Sequence, residues 1–167
     1  MELQEAKKRF IQLWGEVGTN WGIPKSMAMV HAYLLINDKE VDQDMIKDDL
    51  ELSKGIVHLN LKTLIKMGLV ERIDITGNRR DYYRAEYDVY KIAKIVAIER
   101  KQTELEPLIE EIKDLLDIEG GMEKIHFEKT IRDIAAFAEQ ANKILELFIV
   151  SRSLKGLSLF MKTLQKV

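Results

Sequence analysis

LSKGIVHLNLKTLIKMGLVERIDITGNRRDYY, residues 52–83, is the stretch that decides the fold. Ser53 carries a hydroxyl that can accept from the free N–H groups of a first helical turn, so a helix is expected over 54–67. Val57, Leu61, Leu64 and Ile65 recur at helical steps and predict its core-facing stripe. Gly68 stops the helix, because glycine enters the left-handed conformation that ends helices at no steric cost. Two short runs follow, about 70–75 and 81–85, with Ile73, Ile75, Tyr82 and Tyr83 as β-formers. Thr76-Gly77-Asn78 has turn chemistry, and Arg79-Arg80 stand at the hairpin tip. A helix followed by a basic two-stranded wing predicts a winged helix-turn-helix. Its helix would enter a major groove, and its wing, 76–81, would lie along backbone or minor groove.

Upstream, Leu3, Ala6, Phe10, Leu13, Trp14 and Val17 are spaced three or four apart and predict an amphipathic helix over 2–18, ended by Gly18-Thr19-Asn20. Pro24 suits the first turn of a second helix, which reaches about Ile36 through Met27, Val30, His31, Leu34 and Leu35. Val41 adds a short strand residue. Asp42 is placed to cap a third helix, 43–50, with Met45, Ile46 and Leu50 on its buried face.

Downstream, Tyr87, Tyr90, Ala93 and Ala97 predict a long helix through about 104, which Pro107 must kink or restart. An apolar stripe from Leu105 to Leu116 runs on to a break at Gly120-Gly121. Ile131, Ile134, Ala138, Ala141, Leu145 and Phe148 then alternate steps of three and four, a seam of the coiled-coil kind. Leu154, Leu157, Met161 and Leu164 form a last amphipathic piece. This is more apolar helix than a winged helix can bury by itself. The expected fold is mainly α with a small β-hairpin wing. Residues 1–86 would form the DNA-binding domain, with 2–18 shared with a dimer interface, and 87–167 a helical dimerisation region.

The net charge of −2 does not suit a nucleic-acid binder until it is resolved by segment. Residues 53–84 hold seven cations against three carboxylates, whereas 38–51 hold two against seven. The basic charge therefore coincides with the candidate DNA face. Absence of cysteine excludes disulfides and thiolate-ligated zinc. The N-terminus MELQEAKKRF lacks a secretory pattern, and no apolar run approaches the roughly 18–20 residues that span a bilayer, so a cytoplasmic protein is expected. His31, His58 and His126 are scattered, and no glycine-rich phosphate loop occurs. Asp42, Asp44, Asp48 and Asp49 read as capping and dipole residues around a helix start. No enzyme, metal or cofactor is expected.

Within the recognition helix, Lys54, His58 and Asn60 are candidates for base edges. Gly55 would allow close approach, and Ser53 and Lys62 would bind phosphate. Arg79 and Arg80 suit a narrow, electronegative minor groove. Trp14, Trp21, Tyr87 and Tyr90 are the aromatics from which an effector site would be built, and a quaternary ammonium group favours such a cage.

Several elements together resemble the GbsR-like branch of the MarR family of transcriptional regulators. They are Trp14-Gly15, Trp21-Gly22-Ile23, Leu52-Ser53-Lys54-Gly55, Asn60-Leu61, Met67-Gly68-Leu69-Val70, the wing from Gly77 to Tyr83, Asp88, and Leu105-Glu106-Pro107. The resemblance covers nearly all of residues 1–115. It implies a homodimer on double-stranded operator DNA, a small effector between DNA module and helical part, and a choline- or betaine-like effector as in some relatives. Lys54 stands where the branch commonly has arginine and Ile56 where it has asparagine. Lysine cannot make arginine's two-pronged guanine contact, so an operator sequence does not transfer. A homodimeric repressor is the expected function; a winged-helix protein-interaction module is the alternative.

Overall fold

Helix α2, Lys25–Leu35, is the axis of the first of two units into which the chain divides, Met1–Ile92 and Ala93–Val167. The computed structural model describes residues 1–75, 79–116 and 121–151. Met27, Ala28, Val30, Ala32, Tyr33 and Leu34 are all buried, so α2 is apolar around most of its circumference. Helix α1, Leu3–Asn20, lies against it. The approach is close: a Cβ at Gly18 would sit 2.5 Å from the Cβ of Ala28. Gly18 thus belongs to the contact, and the helix continues through Thr19 and Asn20 where the sequence predicted a stop. Its end is closed by Ile23 N–H donating back to the Gly18 carbonyl at 2.8 Å.

The helix-turn-helix follows. Strand β1 is Val41–Asp42, α3 is Gln43–Leu50 and α4 is Lys54–Met67. Both predicted caps form. Asp42 accepts from Met45 N–H at 2.9 Å, and Ser53 accepts from Ile56 N–H at 3.3 Å. Glu51, between the helices, adopts the left-handed conformation at φ 54. Gly68 ends α4 at φ 78, where the N–H groups of Gly68 and Leu69 donate to the Ile65 and Leu64 carbonyls. Strands β2, Val70–Asp74, and β3, Asp81–Ala85, complete an antiparallel sheet of order β1-β3-β2, with Val41 opposite Tyr83 and Arg72 opposite Tyr83 on its other side. The core gathers Val30, Leu34, Val41, Ile46, Val57, Leu61, Leu64 and Tyr83.

Two predicted core positions point outward. Met45 is exposed while Ile46 is wholly buried, and Ile65 is exposed because the buried arc of α4 is Val57, Asn60, Leu61 and Leu64. Thr76-Gly77-Asn78, the predicted wing turn, lies outside the described residues, as do Gly120 and the apolar piece 154–164.

Helix α5, Val89–Arg100, starts at Asp88, whose carboxylate accepts from the N–H groups of Tyr90 and Lys91. A single π-helical turn, Lys101–Leu105, then precedes α6, Glu106–Asp114, with Pro107 in its first turn. The wider turn absorbs the proline, which has no N–H to give and would crowd a regular helix. Helix α7, Met122–Val150, follows Gly121 and runs antiparallel to α6, as the ion pairs Lys101–Glu146 (3.3 Å) and Lys113–Glu139 (2.6 Å) show. Ile109 and Ile112 are buried on α6, and Ala135 and Ala138 on α7. The predicted α7 seam is therefore divided. Ala138 is buried and Ile131 and Leu145 are half-buried, but Ile134 is exposed. No helix among the described residues is long and apolar enough to cross a membrane.

One buried polar group has a measurable consequence. His31 of α2 lies against Trp14, ring centroids 6.3 Å apart, and its Nε2 has no hydrogen-bond partner among the described residues. Burial lowers its pKa from 6.5 to about 4. The unfolded chain then takes up a proton that the folded chain refuses. Stability is unaffected above pH 6.5 and falls as pH drops from 6.5 toward 4, by at most about 3 kcal/mol. Urea unfolding at a series of pH values should give His31→Leu a flatter profile than the parent across that window. Parallel profiles would show that this imidazole does not drive the acid loss.

Candidate nucleic-acid interface

Helix α4 is set from its two ends and its middle. Its start is capped by Ser53 and tied to α3, because the Gln43 amide donates to the Lys54 carbonyl at 2.8 Å. Its end is fixed by Gly68. In the middle, Asn60 turns inward: it is 6% exposed, and its amide donates to the Ser26 hydroxyl of α2 at 3.1 Å. This corrects the placement of Asn60 among outward, base-edge candidates. A buried amide holding two helices together is not presented to a groove.

The arc left outward carries Lys54, Gly55, Ile56, His58, Leu59 and Lys62, with Lys66 further along. Nothing lies within 4 Å of a Cβ built on Gly55, so its surroundings are open. Lys54 is not unattached: its ammonium lies 3.5 Å from Asp44. Ser53 stands exposed at the cap, with its hydroxyl engaged by Ile56 N–H.

The wing arginines differ from each other. Arg79 is exposed. Arg80 reaches back and donates to the Asp42 carboxylate at 2.6 Å, from a guanidinium side chain 62% exposed to a carboxylate side chain only 7% exposed. Burial works against the charge on Asp42. The hydrogen bond from Met45 N–H and the Arg80 guanidinium outweigh it and hold the carboxyl below its ordinary pKa. Arg80 in turn is held more firmly protonated by the same bond and charge. At the wing's flanks Arg72 pairs with Asp81 at 2.7 Å, and Arg84 with Glu71 at 2.7 Å.

The acidic segment 38–51 and the basic segment 53–84 therefore meet in space: Asp42 on Arg80, Asp44 on Lys54, and Glu40 at 3.9 Å from Arg84. The aspartates that resemble a cluster in sequence are each occupied separately, since Asp48 pairs with Lys47 and Asp49 accepts from the Tyr33 hydroxyl at 2.5 Å. Sequence reasoning did not find these pairings. Contacts such as Asp42 with Arg80, far apart along the chain, leave no periodic signal.

The four candidate effector aromatics occupy different settings. Trp14 is half-buried and tilted against Phe10 and His31, with centroids at 5.5 and 6.3 Å. Trp21 is exposed at the end of α1. Tyr87 donates to the Asn37 carbonyl at 2.9 Å and, with Glu71, Arg84, Glu86 and Lys91, lines a groove of about 450 Å³. Tyr90 is half-buried at the start of α5.

The fold is a winged helix. Among solved structures, one of a transcriptional regulator aligns over 94% of this chain and 99% of its own length, with a TM-score of 0.64 and 17% identity. A mutant of MepR from a multidrug-resistant S. aureus clinical isolate aligns at TM-score 0.41 and 13% identity, covering 82% of this chain and 92% of that one. A MarR transcriptional regulator from Methanosarcina mazei Go1 aligns at TM-score 0.37 and 14% identity, covering 82% and 94%. The last two scores are too low to bear on the fold, and the first likeness shows the fold alone. No family model and no curated protein matches the chain.

The inward turn of Asn60 is testable. Asn60→Ala should lower unfolding stability by about 1–2 kcal/mol, through loss of a buried hydrogen bond. Discrimination between DNA sequences, measured by competition, should stay unchanged. A selective loss at one base pair would place the amide in the groove after all.

Proposed function

We propose that this chain is a DNA-binding transcriptional regulator of the MarR type, resembling the GbsR-like branch, that acts as a homodimer and represses by occupying its operator. The observation that carries the reading is the presentation of α4. Caps at both ends and the Ser26 tie fix one face inward, while the opposite face stands exposed in the same unit as a wing bearing Arg79. Lys62 and Lys66 would meet phosphates along the groove, and Arg79 the backbone or minor groove.

Apolar surface supports the dimer. On α7, Phe127, Ile134, Phe137 and Ile144 are exposed, with Phe137 at 73%, and they lie three or seven residues apart. Leu3, Leu13 and Val17 are exposed on α1. Side chains of this kind in helical register are the material of a twofold interface, and a dimer matches two half-sites about one turn apart. Sedimentation at micromolar concentration should give a species of about twice the 19.4 kDa chain. A single 19.4 kDa species would end the dimer proposal. A choline- or betaine-like effector is part of the same reading, with Trp14, Trp21, Tyr87 and Tyr90 as the residues in question.

A second reading has an observation in its favour. Lys54, Arg72, Arg80 and Arg84 each face a carboxylate, which reduces the field available to DNA and suits a protein-interaction module. Salt-dependent anisotropy titrations, on DNA from upstream of the chain's own gene and on a shuffled control, separate the two. A regulator should bind the first at least about a hundredfold more tightly, with affinity falling steeply in salt. Arg79→Ala should flatten that slope by about one unit, and Arg80→Ala by less, because Asp42 competes for its guanidinium. Weak, equal binding to both DNAs would favour the protein partner.

A further inference from the structure

The outer face of α4 carries an unusual selection for the first turns of a reading helix. Leu59 is 63% exposed and Ile56 43% exposed. They lie three residues apart, hence on one face, beside the open backbone of Gly55. Of the three polar candidates for base edges, His58 stays exposed on this arc, and the other two are engaged elsewhere. Asn60 is turned inward onto Ser26, and Lys54 leans on Asp44. Two aliphatic side chains left in water at the front of a capped helix lose nothing by meeting another apolar group. Lys62, three residues beyond Leu59, and Lys66, seven beyond, stay exposed on the same side and keep the face cationic.

A surface with an apolar centre and cationic flank matches one feature of duplex DNA. In the major groove each thymine presents a C5-methyl group, the apolar handle by which it differs from cytosine. We propose that Ile56 and Leu59 are specificity-determining residues that read thymine methyl groups, so that base preference at those positions arises from van der Waals contact. The inference rests on the reading of the chain as a DNA-binding regulator and names what that regulator recognises. The flanking lysines supply affinity without sequence preference, since phosphate contacts position a protein and do not specify bases. Gly55, lacking a side chain, lets the helix backbone come close enough for the aliphatic tips to touch the methyls.

The test uses the intact protein and changes the DNA first. A preferred duplex is selected from a random pool, and each thymine is then replaced singly by uracil, which lacks only the methyl. At one or more thymines per half-site, uracil should weaken binding by about fourfold, the worth of one buried methyl-sized group. Leu59→Ala or Ile56→Ala should abolish the difference between thymine and uracil at its own position, while binding of both remains salt-dependent. Specific binding that is indifferent to uracil at every thymine would overturn the methyl contact and leave the regulator standing. Failure of the pool to yield any preferred duplex would overturn the regulator, and the methyl contact with it.

Discussion

The Asp42 carboxylate is the point on which the helix-turn-helix and wing both depend. Its side chain is buried, and donors from two different elements hold its carboxyl below the ordinary pKa: the first turn of α3 through Met45 N–H, and the wing through Arg80. The same residue is half of β1 and pairs with Tyr82 of β3. One residue therefore starts a helix, ends a strand and holds a hairpin arginine. Both donors favour the charged carboxylate, so the pose of the wing and the start of α3 are coupled through it.

Charge in this molecule is arranged locally. Segment sums separate an acidic stretch from a basic one, but folding interleaves them, and most of the wing cations face a carboxylate. The Arg72–Asp81 and Arg84–Glu71 pairs are largely exposed, so each adds little to stability. Their larger effect is on the field. Among the described residues, Lys62, Lys66 and Arg79 are exposed cations for which no carboxylate partner is seen, so the field they contribute is less offset.

Local chemistry was legible in the sequence wherever one residue decides a boundary. Asp42, Ser53 and Gly68 end or begin elements where their side chains, or the lack of one, satisfy the backbone. Pro107 marks the break between α5 and α6, although the π-helical form of that break was not foreseeable from it. Misreadings came from the phase of helices. The apolar residues of α4 suggested a stripe centred near Val57 and Ile65, whereas burial is centred between Asn60 and Leu61, a rotation of a few tens of degrees. Asn60 was misplaced for that reason, since its partner, Ser26, is thirty-four residues away. The α7 seam is divided within one chain: Ile134 and Ala138 look equivalent in sequence, but only Ala138 is buried there. Small residues allow helices to meet, and periodicity does not record which face meets which neighbour.

The bond from Asn60 to Ser26 also divides labour along one helix. Because the amide and the aliphatic arc around it clamp α4 to α2 from within, the azimuth at which every other residue projects is decided by side chains that never reach the surface. Residues 55, 56, 58, 59, 62 and 66 are then free to vary without altering how the helix is held. A lineage can revise what this face touches one side chain at a time, while the scaffold that presents it stays under an unrelated selection for packing.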